Sequence, residues 1–219
     1  LPTGRFSLAA SFSFFFSHHI TTMEGGMAVT DDDDLAELFR CLRAHGWTRQ
    51  LRDRQAHERR HSELDPRFLF VNLGYNLRPT DVQAAFGLHQ LPRLEDFNRR
   101  RAGLAARLCL ALESLSQHLQ LVRPTAEVEH TWMGFPVLLR RDRRPEFVAH
   151  LEARGVETRP IVAGNLARQP ALAHFPHRVA GRLEAADAVM RRGVYWGLHP
   201  GMTDEDVDYV ARTLEDFFR

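Results

Sequence analysis

The sequence contains no lysine, because all 29 residues counted as lysine or arginine are arginine. A chain without lysine has no side-chain amine, which excludes every form of catalysis that attaches an aldehyde or ketone to a lysine. Cysteine is scarce as well. Cys41 and Cys109 show neither a CxxC motif nor a Cys/His spacing, which argues against a disulfide framework or a zinc site and favours the cytoplasm as the default compartment.

A strong charge of either sign and long apolar runs are also missing. The formal net charge of +1 argues against a nucleic-acid-binding protein, which usually carries a strongly basic domain, but remains compatible with a small anionic ligand. No apolar stretch reaches the length of a membrane span. What is present is ample core material, since 44% of the 219 residues are hydrophobic.

The chain is organised around residues 11–26, where an aromatic run ends at two adjacent histidines. The run from Phe6 to Phe16 predicts a central, buried strand, and Gly26 to Thr30 predicts a second, short strand antiparallel to it. Between them, His18 follows the end of the first strand, which is where α/β sheets place ligands and reactive groups. Imidazole can move a proton near neutral pH, so His18 is the leading candidate for chemistry.

Several further elements are predicted from caps and periodicity. Asp31 to Asp34 indicates the start of a helix rather than a metal site, and Thr80 or Asp81 can cap a second helix. The segment from Gln50 to Leu64 has few apolar residues and predicts a long surface loop. Other predictions are a turn at residues 1–5, a strand from Phe68 to Val71, a buried face of Val82, Ala85, Phe86 and Leu88, and a long helix from Pro92.

The remaining chain alternates strands and helices, as a small α/β domain does. The predicted strands are residues 132–139, 156–162 and 194–198, and the predicted helices begin at Pro145, Leu183 and Thr203.

The motif around His18 resembles a known signature. Residues 13–26 match Ser-Phe-x-x-x-Lys-x-x-x-Thr-x-Glu-Gly-Gly, the cofactor-lysine motif of the DegT/DnrJ/EryC1/StrS sugar aminotransferases, except that His18 stands in place of the lysine. Within that family, the replacement is similar to the sugar 3-dehydratases of the GDP-4-keto-6-deoxymannose 3-dehydratase kind.

The resemblance implies the α/β fold of pyridoxal-phosphate transferases of fold type I, as in aspartate aminotransferase. Residues 1–92 would be the C-terminal part of the cofactor-binding large domain, and residues 93–219 the linking long helix with the small C-terminal α/β domain. The N-terminal part of the large domain, with the aspartate for the cofactor's ring nitrogen and the aromatic residue that stacks on the ring, would be missing from this sequence.

The function implied is dehydration at C3 of a nucleotide-linked 4-keto-6-deoxyhexose, in the supply of deoxysugars for polysaccharides such as lipopolysaccharide. Pyridoxal or pyridoxamine 5′-phosphate would be held noncovalently, glutamate would be the amino donor, and His18 would be the proton-transfer base. Ser13 matches the residue that holds the cofactor phosphate. Asn76 resembles an asparagine that reaches the phosphate in the neighbouring subunit, which implies a homodimer with shared active sites.

The resemblance also bears on the roles of two further histidines and two arginines. His45, in a segment similar to the GDP-sugar dehydratases, would assist proton transfer or contact substrate. Arg159 and Arg168 could pair with the nucleotide diphosphate, which suits the fork geometry of arginine. For His19, a structural or substrate-contact role is favoured over catalysis.

Alternative interpretations remain open at this stage. A sugar aminotransferase of the same family would need a lysine where His18 stands, and a catalytically inactive homologue could serve as a binding subunit. An iron–sulfur enzyme of the related CDP-sugar kind is disfavoured, because Cys41 has no cysteine cluster around it. A metal site built from His18, His19 and His45 is weaker still, since adjacent histidines point in different directions.

Overall fold

A computed structural model describes residues 4–123 and 128–219. The turn predicted at residues 1–5 therefore lies partly outside the described residues. The chain divides into two compact units, of which the first ends at Leu94 and the second runs from Glu95 to Arg219. No helix within the described ranges is long and apolar enough to cross a membrane.

The first unit consists of a small hairpin and short helices. Its two strands pair antiparallel, with Ser13 opposite Gly26 at the end that leads into the histidine loop. The elements are β1 (Ala10–Ser13), β2 (Gly26–Val29), α1 (Asp33–Leu42), α2 (Arg54–Arg60) and α3 (Asp81–Gln90), with 3₁₀ turns at Thr48–Gln50, Pro66–Phe68 and Leu91–Arg93.

The helix caps of the first unit confirm the predicted starts. The Asp32 carboxylate accepts a hydrogen bond from Leu35 N at 2.9 Å and begins α1. Thr80 and Gln83 form a reciprocal capping box at the start of α3. These bonds satisfy backbone N–H groups that have no partner inside the helix.

Three other predictions for the first unit are wrong. The aromatic strand covers only Ala10–Ser13 and is mostly exposed, because no third strand among the described residues pairs with β1 and β2. The predicted loop at 50–64 contains α2, which an ion pair between Arg54 and Glu58 supports at 2.6 Å. The predicted strand at 68–71 is a single bridge between Trp47 and Phe70.

Burial in the first unit is sparse. Between residues 4 and 94, its buried hydrophobic side chains are Cys41, Ala44 and Leu69. The predicted buried face of α3 is also wrong, because Val82 is 65% exposed, Leu88 is 74% exposed and no described element covers them.

In its described part, the second unit is a four-stranded antiparallel sheet with four helices. The strand order is β3-β4-β6-β5, so β4 and β6 are the central strands. Its elements are α4 (Leu94–Ala111), β3 (Leu119–Leu121), β4 (Gly134–Leu139), α5 (Arg144–Glu152), β5 (Thr158–Pro160), α6 (Glu184–Arg192), β6 (Gly193–Gly197) and α7 (Asp204–Phe218), with 3₁₀ turns at Glu113–Leu115, Leu166–Arg168 and Pro170–His174.

One face of this sheet forms the core of the second unit. Phe135, Val137 and Leu139 alternate along β4 and are almost completely buried, as the two-residue period of a strand requires. Phe147 from α5 and Leu214 from α7 close the same cluster, each fully buried. The predicted strands and helices of this region are confirmed with shorter strands, and β3 is an element that sequence reasoning missed.

Candidate active site

The loop that carries His18 closes on the backbone of Phe14. Phe14 N–H donates to the Gly25 carbonyl at 2.9 Å, and Thr22 N–H donates to the Phe14 carbonyl at 2.9 Å. The loop thus continues directly from the β1–β2 hairpin, and the two hydrogen bonds of Phe14 join the start of the loop to its end.

The Thr-x-Glu-Gly-Gly half of the motif builds the return side of this loop. The Thr22 hydroxyl, in a buried residue, donates to the Glu24 carbonyl at 2.9 Å. A Cβ added to Gly25 would lie 2.3 Å from Thr22 Oγ1, and one added to Gly26 would lie 2.9 Å from the Phe12 carbonyl oxygen. The two glycines are therefore required by close approach of neighbouring atoms rather than by the turn alone.

Helix α3 supports the loop from the other side. The Gln83 amide donates to the Glu24 carbonyl at 3.0 Å, and Gln90 Oε1 accepts from Thr21 N–H at 3.4 Å. A Cβ at Gly87 would meet the Thr22 methyl group at 3.3 Å, so a small residue lets the helix approach closely. The loop is consequently held by a helix that lies more than fifty residues further along the chain.

The imidazole of His18 is partly buried and oriented by two contacts. Its Nδ1 lies 3.3 Å from the Ser13 carbonyl oxygen, and its ring meets the Phe15 ring edge-on at 5.9 Å. A carbonyl can only accept, so Nδ1 carries the hydrogen, and in the neutral ring Nε2 is the unprotonated nitrogen. No hydrogen bond of Nε2 lies within the described residues.

Ser13 ends β1 and exposes its hydroxyl beside this histidine. The Ser13 hydroxyl oxygen accepts from Phe15 N–H at 3.4 Å, which leaves its own hydrogen available to an external acceptor. The carbonyl of the same residue orients His18. Ser13 and His18 are therefore brought together by a direct contact.

His45 and Asn76 lie on two backbone segments that pair within the first unit. His45 N–H donates to the Tyr75 carbonyl at 2.8 Å, and the adjacent residues Ala44 and Asn76 form an antiparallel bridge. The Asn76 side-chain oxygen accepts from Arg78 Nε at 3.3 Å, and its NH₂ group makes no hydrogen bond within the described residues. Among the described residues, no hydrogen bond or ring contact joins this pair to Ser13 and His18.

The backbone at His45 is unusual. Its φ of 65° lies in the left-handed region, which is uncommon for a residue with a Cβ, and Gly46 follows with φ 82°. A Cβ at Gly46 would lie 1.8 Å from the Asn72 carbonyl oxygen. The exposed His45 ring is therefore displayed by a tight turn that ends helix α1.

The two predicted arginines lie in the second unit and already have partners. Arg159 pairs with Glu157 and donates to the Thr158 carbonyl at 2.9 Å. Arg168 makes a two-pronged ion pair with Asp187, from Nε at 3.1 Å and from Nη2 at 3.0 Å.

Asp187 is the residue here that sequence reasoning missed. Hydrogen bonds from Arg168 and then from Asn165 lower the pKa of the Asp187 carboxyl to about 2, and its hydrogen bond raises the pKa of Arg168. Asp187 lies nineteen positions after Arg168 in the sequence, so no local motif could have indicated the pair.

Metal ligation has no support in the described part of the chain, where no group of three or more histidine, cysteine or carboxylate side chains could hold an ion. Both cysteines carry free thiols. Desolvation raises the pKa of Cys41, which makes its thiolate less available at neutral pH.

Comparison with known proteins places this geometry in context. A GDP-4-keto-6-deoxy-D-mannose 3-dehydratase from Yersinia pseudotuberculosis is 37% identical over 219 residues, which cover 97% of this chain and 55% of that protein. The lipopolysaccharide biosynthesis protein RfbH of Salmonella typhimurium is 35% identical, with 98% and 52% covered. The chain spans about half the length of the curated relatives it matches.

Solved structures agree with the sequence relatives. The Escherichia coli GDP-4-keto-6-deoxy-D-mannose-3-dehydratase with bound hydrated PLP superposes with a TM-score of 0.86 at 32% identity, covering 97% of this chain and 56% of that one. A structure of GDP-4-keto-6-deoxymannose-3-dehydratase with bound GDP-perosamine gives a TM-score of 0.87 at 33% identity, with 96% and 55% covered. The predicted α/β fold class is thereby confirmed. Residues 2–215 match the DegT/DnrJ/EryC1/StrS aminotransferase family, and the chain belongs to that family.

Proposed function

We propose that the protein removes the C3 oxygen of a nucleotide-linked 4-keto-6-deoxyhexose, with pyridoxal or pyridoxamine phosphate as its cofactor. The observation that carries the proposal is His18, which occupies the lysine position of the family motif. Its Nδ1 is hydrogen-bonded to the Ser13 carbonyl, and its Nε2 makes no hydrogen bond within the described residues. The names of the similar proteins, which include sugar 3-dehydratases with GDP and dTDP substrates, support the same reaction class. Its product would be a deoxysugar for a surface polysaccharide such as lipopolysaccharide, made in the cytoplasm.

The donor set in the first unit suits a phosphorylated cofactor that is not covalently attached. The Ser13 hydroxyl can donate to a phosphate oxygen, and the Asn76 amide can donate to a second phosphate oxygen. When bound, the cofactor supplies an electron sink that acidifies the carbon joined to it. We propose that Asn76 serves the neighbouring subunit's site, which makes the protein a homodimer.

His18 would act as base and then as acid. Its tautomer presents the Nε2 lone pair, so Nε2 accepts a proton while Nδ1–H remains bonded to the Ser13 carbonyl. The protonated Nε2 can give a proton to the departing C3 hydroxyl, which then leaves as water. Lysine attaches the cofactor covalently, and imidazole cannot. His18 therefore favours dehydration over transamination, whose cycle ends with that covalent attachment.

The remaining roles are distributed over both units. His45, displayed by its left-handed turn, would assist proton transfer or contact the sugar. Arg159 and Arg168 would bind the diphosphate, and glutamate would be the amino donor. We further propose that residues 1–92 form part of the cofactor-binding large domain and residues 93–219 the linking helix and small domain.

The reaction is tested by product mass. The full-length protein is incubated with pyridoxal phosphate, glutamate and a GDP-4-keto-6-deoxyhexose, and we expect a product lighter by one oxygen atom. His18→Gln should lower turnover by about 10²- to 10⁴-fold, the usual contribution of a positioned acid–base group. The matched control is His89→Gln, which alters an exposed histidine of α3 and should leave turnover unchanged.

Two outcomes would contradict the proposal. A product that carries a new amine would make the protein an aminotransferase with some other group in the role of lysine. No conversion of either GDP- or dTDP-linked substrates, with the cofactor bound, would favour an inactive homologue that acts as a binding subunit.

A further inference from the structure

The segment between β5 and α6 is fixed to α6 at its first half. Gly164 has φ 63°, and a Cβ there would lie 2.6 Å from Met190 Cβ, so the backbone lies directly against the helix. Gly164 N–H donates to the Ile161 carbonyl at 2.9 Å, and the Gln169 amide donates to the Ala163 carbonyl at 3.1 Å. These bonds make residues 161–169 a compact loop.

One carboxylate fixes the second half of the same loop. Asp187 Oδ1 accepts from the Asn165 amide at 2.7 Å and from Arg168 Nε at 3.1 Å, and its Oδ2 accepts from Arg168 Nη2 at 3.0 Å. Asn165 is only 3% exposed, and its own oxygen accepts from Ala167 N–H at 3.0 Å. Asp187 therefore holds both the N-cap residue and the last residue of the 3₁₀ turn Leu166–Arg168.

This arrangement leaves one end of the Arg168 guanidinium open. Nε and Nη2 are used by Asp187, whereas Nη1 makes no hydrogen bond within the described residues and the side chain is 59% exposed. A guanidinium held at two nitrogens has already lost most of its rotamer freedom, so a ligand that binds Nη1 does not have to order it.

Arg168 also lines a pocket of about 330 Å³. Two guanidinium groups line it, Arg168 and Arg182, together with two carboxylates, Asp187 and Glu184. Arg182 Nη1 lies 3.5 Å from Glu184 Oε1, and both of these side chains are well exposed. The formal charges balance, so attraction of an anion to this pocket depends on directed N–H groups rather than on net charge.

We infer that Asp187 is a positioning residue that orients Arg168 to bind the diphosphate of the nucleotide-linked sugar. This inference rests on the proposed function for the identity of the ligand. It gives the Arg168–Asp187 ion pair a purpose beyond fastening a surface loop, and it assigns a role to a residue outside the family motif.

The test uses the sign of a change in nucleotide affinity. If Asp187 were merely a negative charge near the ligand, its neutralisation in Asp187→Asn would tighten the binding of an anion. If it positions Arg168, the same substitution should weaken binding of GDP or dTDP to the full-length protein about tenfold, as measured by calorimetry. The matched control is Glu184→Gln, which removes a carboxylate from the same pocket without touching Arg168 and should leave binding equal or tighter.

Arg168→Lys tests the same contact independently, in case Asp187→Asn does not fold. It keeps the positive charge and the Asn165–Asp187 bond but loses the fork, so it should weaken nucleotide binding to a similar degree. The double variant should be no weaker than either single one, because both disrupt the same contact. In turnover assays, Asp187→Asn should raise KM for the nucleotide sugar and leave kcat unchanged.

The outcomes separate this inference from the proposed reaction. Unchanged or tighter binding in Asp187→Asn, additive effects in the double variant, or no measurable GDP or dTDP binding by the parent protein would overturn it. Weaker nucleotide binding in a protein that dehydrates no sugar would support it while the proposed function fails. Dehydration of the sugar, together with unaltered nucleotide affinity in Asp187→Asn, would support the proposed function and overturn this inference.

Discussion

The two units of this chain differ sharply in how they bury apolar side chains. The second unit packs nineteen buried residues into one cluster, from Leu104 to Leu214. Of the residues that the structure describes, the first unit buries three hydrophobic ones, yet it carries eighteen of the twenty-seven exposed large hydrophobic side chains. The second unit has the core of an independent domain, whereas the first, which carries His18, is held together mainly by backbone bonds and needs further apolar contacts.

The largest difference between the two units should appear when each is expressed alone. Residues 95–219 expressed alone should unfold cooperatively in urea, because their core is internal. Residues 1–94 alone should show no cooperative transition, because burial of so few side chains cannot offset the conformational entropy of folding. Circular dichroism follows both fragments, and a sharp transition in the first fragment would show that its hydrogen bonds suffice.

A matched pair of substitutions measures the same difference in the intact chain. Phe147→Ala removes a fully buried ring that meets Phe217 at 5.2 Å, and it should lower the free energy of unfolding by about 3–5 kcal/mol. Phe86→Ala acts on a side chain that is 46% exposed in the first unit and should change it by less than about 0.5 kcal/mol. Equal losses in urea denaturation would mean that Phe86 is covered in solution.

The two capping boxes sharpen the comparison at a smaller scale. Thr203→Ala removes the bonds that begin α7, and the second unit should lose about 1 kcal/mol because that helix packs into the core. Thr80→Ala removes the equivalent bonds of α3 in the first unit. There we expect faster amide hydrogen exchange confined to the first turn of α3, without a change in the main unfolding transition. A lower free energy of global unfolding in Thr80→Ala would contradict the conclusion that the first unit has little packing.

The smallest effect is a pH dependence in the second unit. The folded pKa of Asp187 is about 2, below its ordinary value of 3.8, so its contribution to stability is present above the ordinary value. That contribution declines as pH falls through the folded value. The difference in urea midpoint between the parent and Asp187→Asn should therefore shrink between about pH 5 and about pH 2. A constant difference over that range would show that the Asp187 charge is not involved.

Helix starts were predictable from the sequence because capping is local. Asp32, Thr80 and Thr203 each bond to a backbone N–H three residues ahead, so residue type and spacing carry the information. The return of the histidine loop through Gly25 and Gly26 was predictable for a similar reason. The antiparallel pairing of the two strands follows from that return.

Elements that depend on distant contacts could not be predicted in the same way. The aromatic run to Phe16 has the composition of a buried strand, but burial is decided by neighbouring strands, which the described residues do not supply. Helix α2 has almost no apolar residues and depends on its Arg54–Glu58 pair. The pairing of Arg168 with Asp187 joins a loop to a later helix, so the sequence indicated the arginine and not its partner.

The hydrogen bonds of the Phe14 backbone have a consequence for how this protein could change in evolution. The hydrogen bonds that shape the histidine loop run from Phe14 to Gly25 and Thr22, whereas the side chain at position 18 contributes its contacts with the Ser13 carbonyl and the Phe15 ring. The frame is thus largely independent of which side chain occupies position 18. A different side chain can stand at that one position while the surrounding architecture is inherited intact, so divergence of sequence at position 18 does not require divergence of fold.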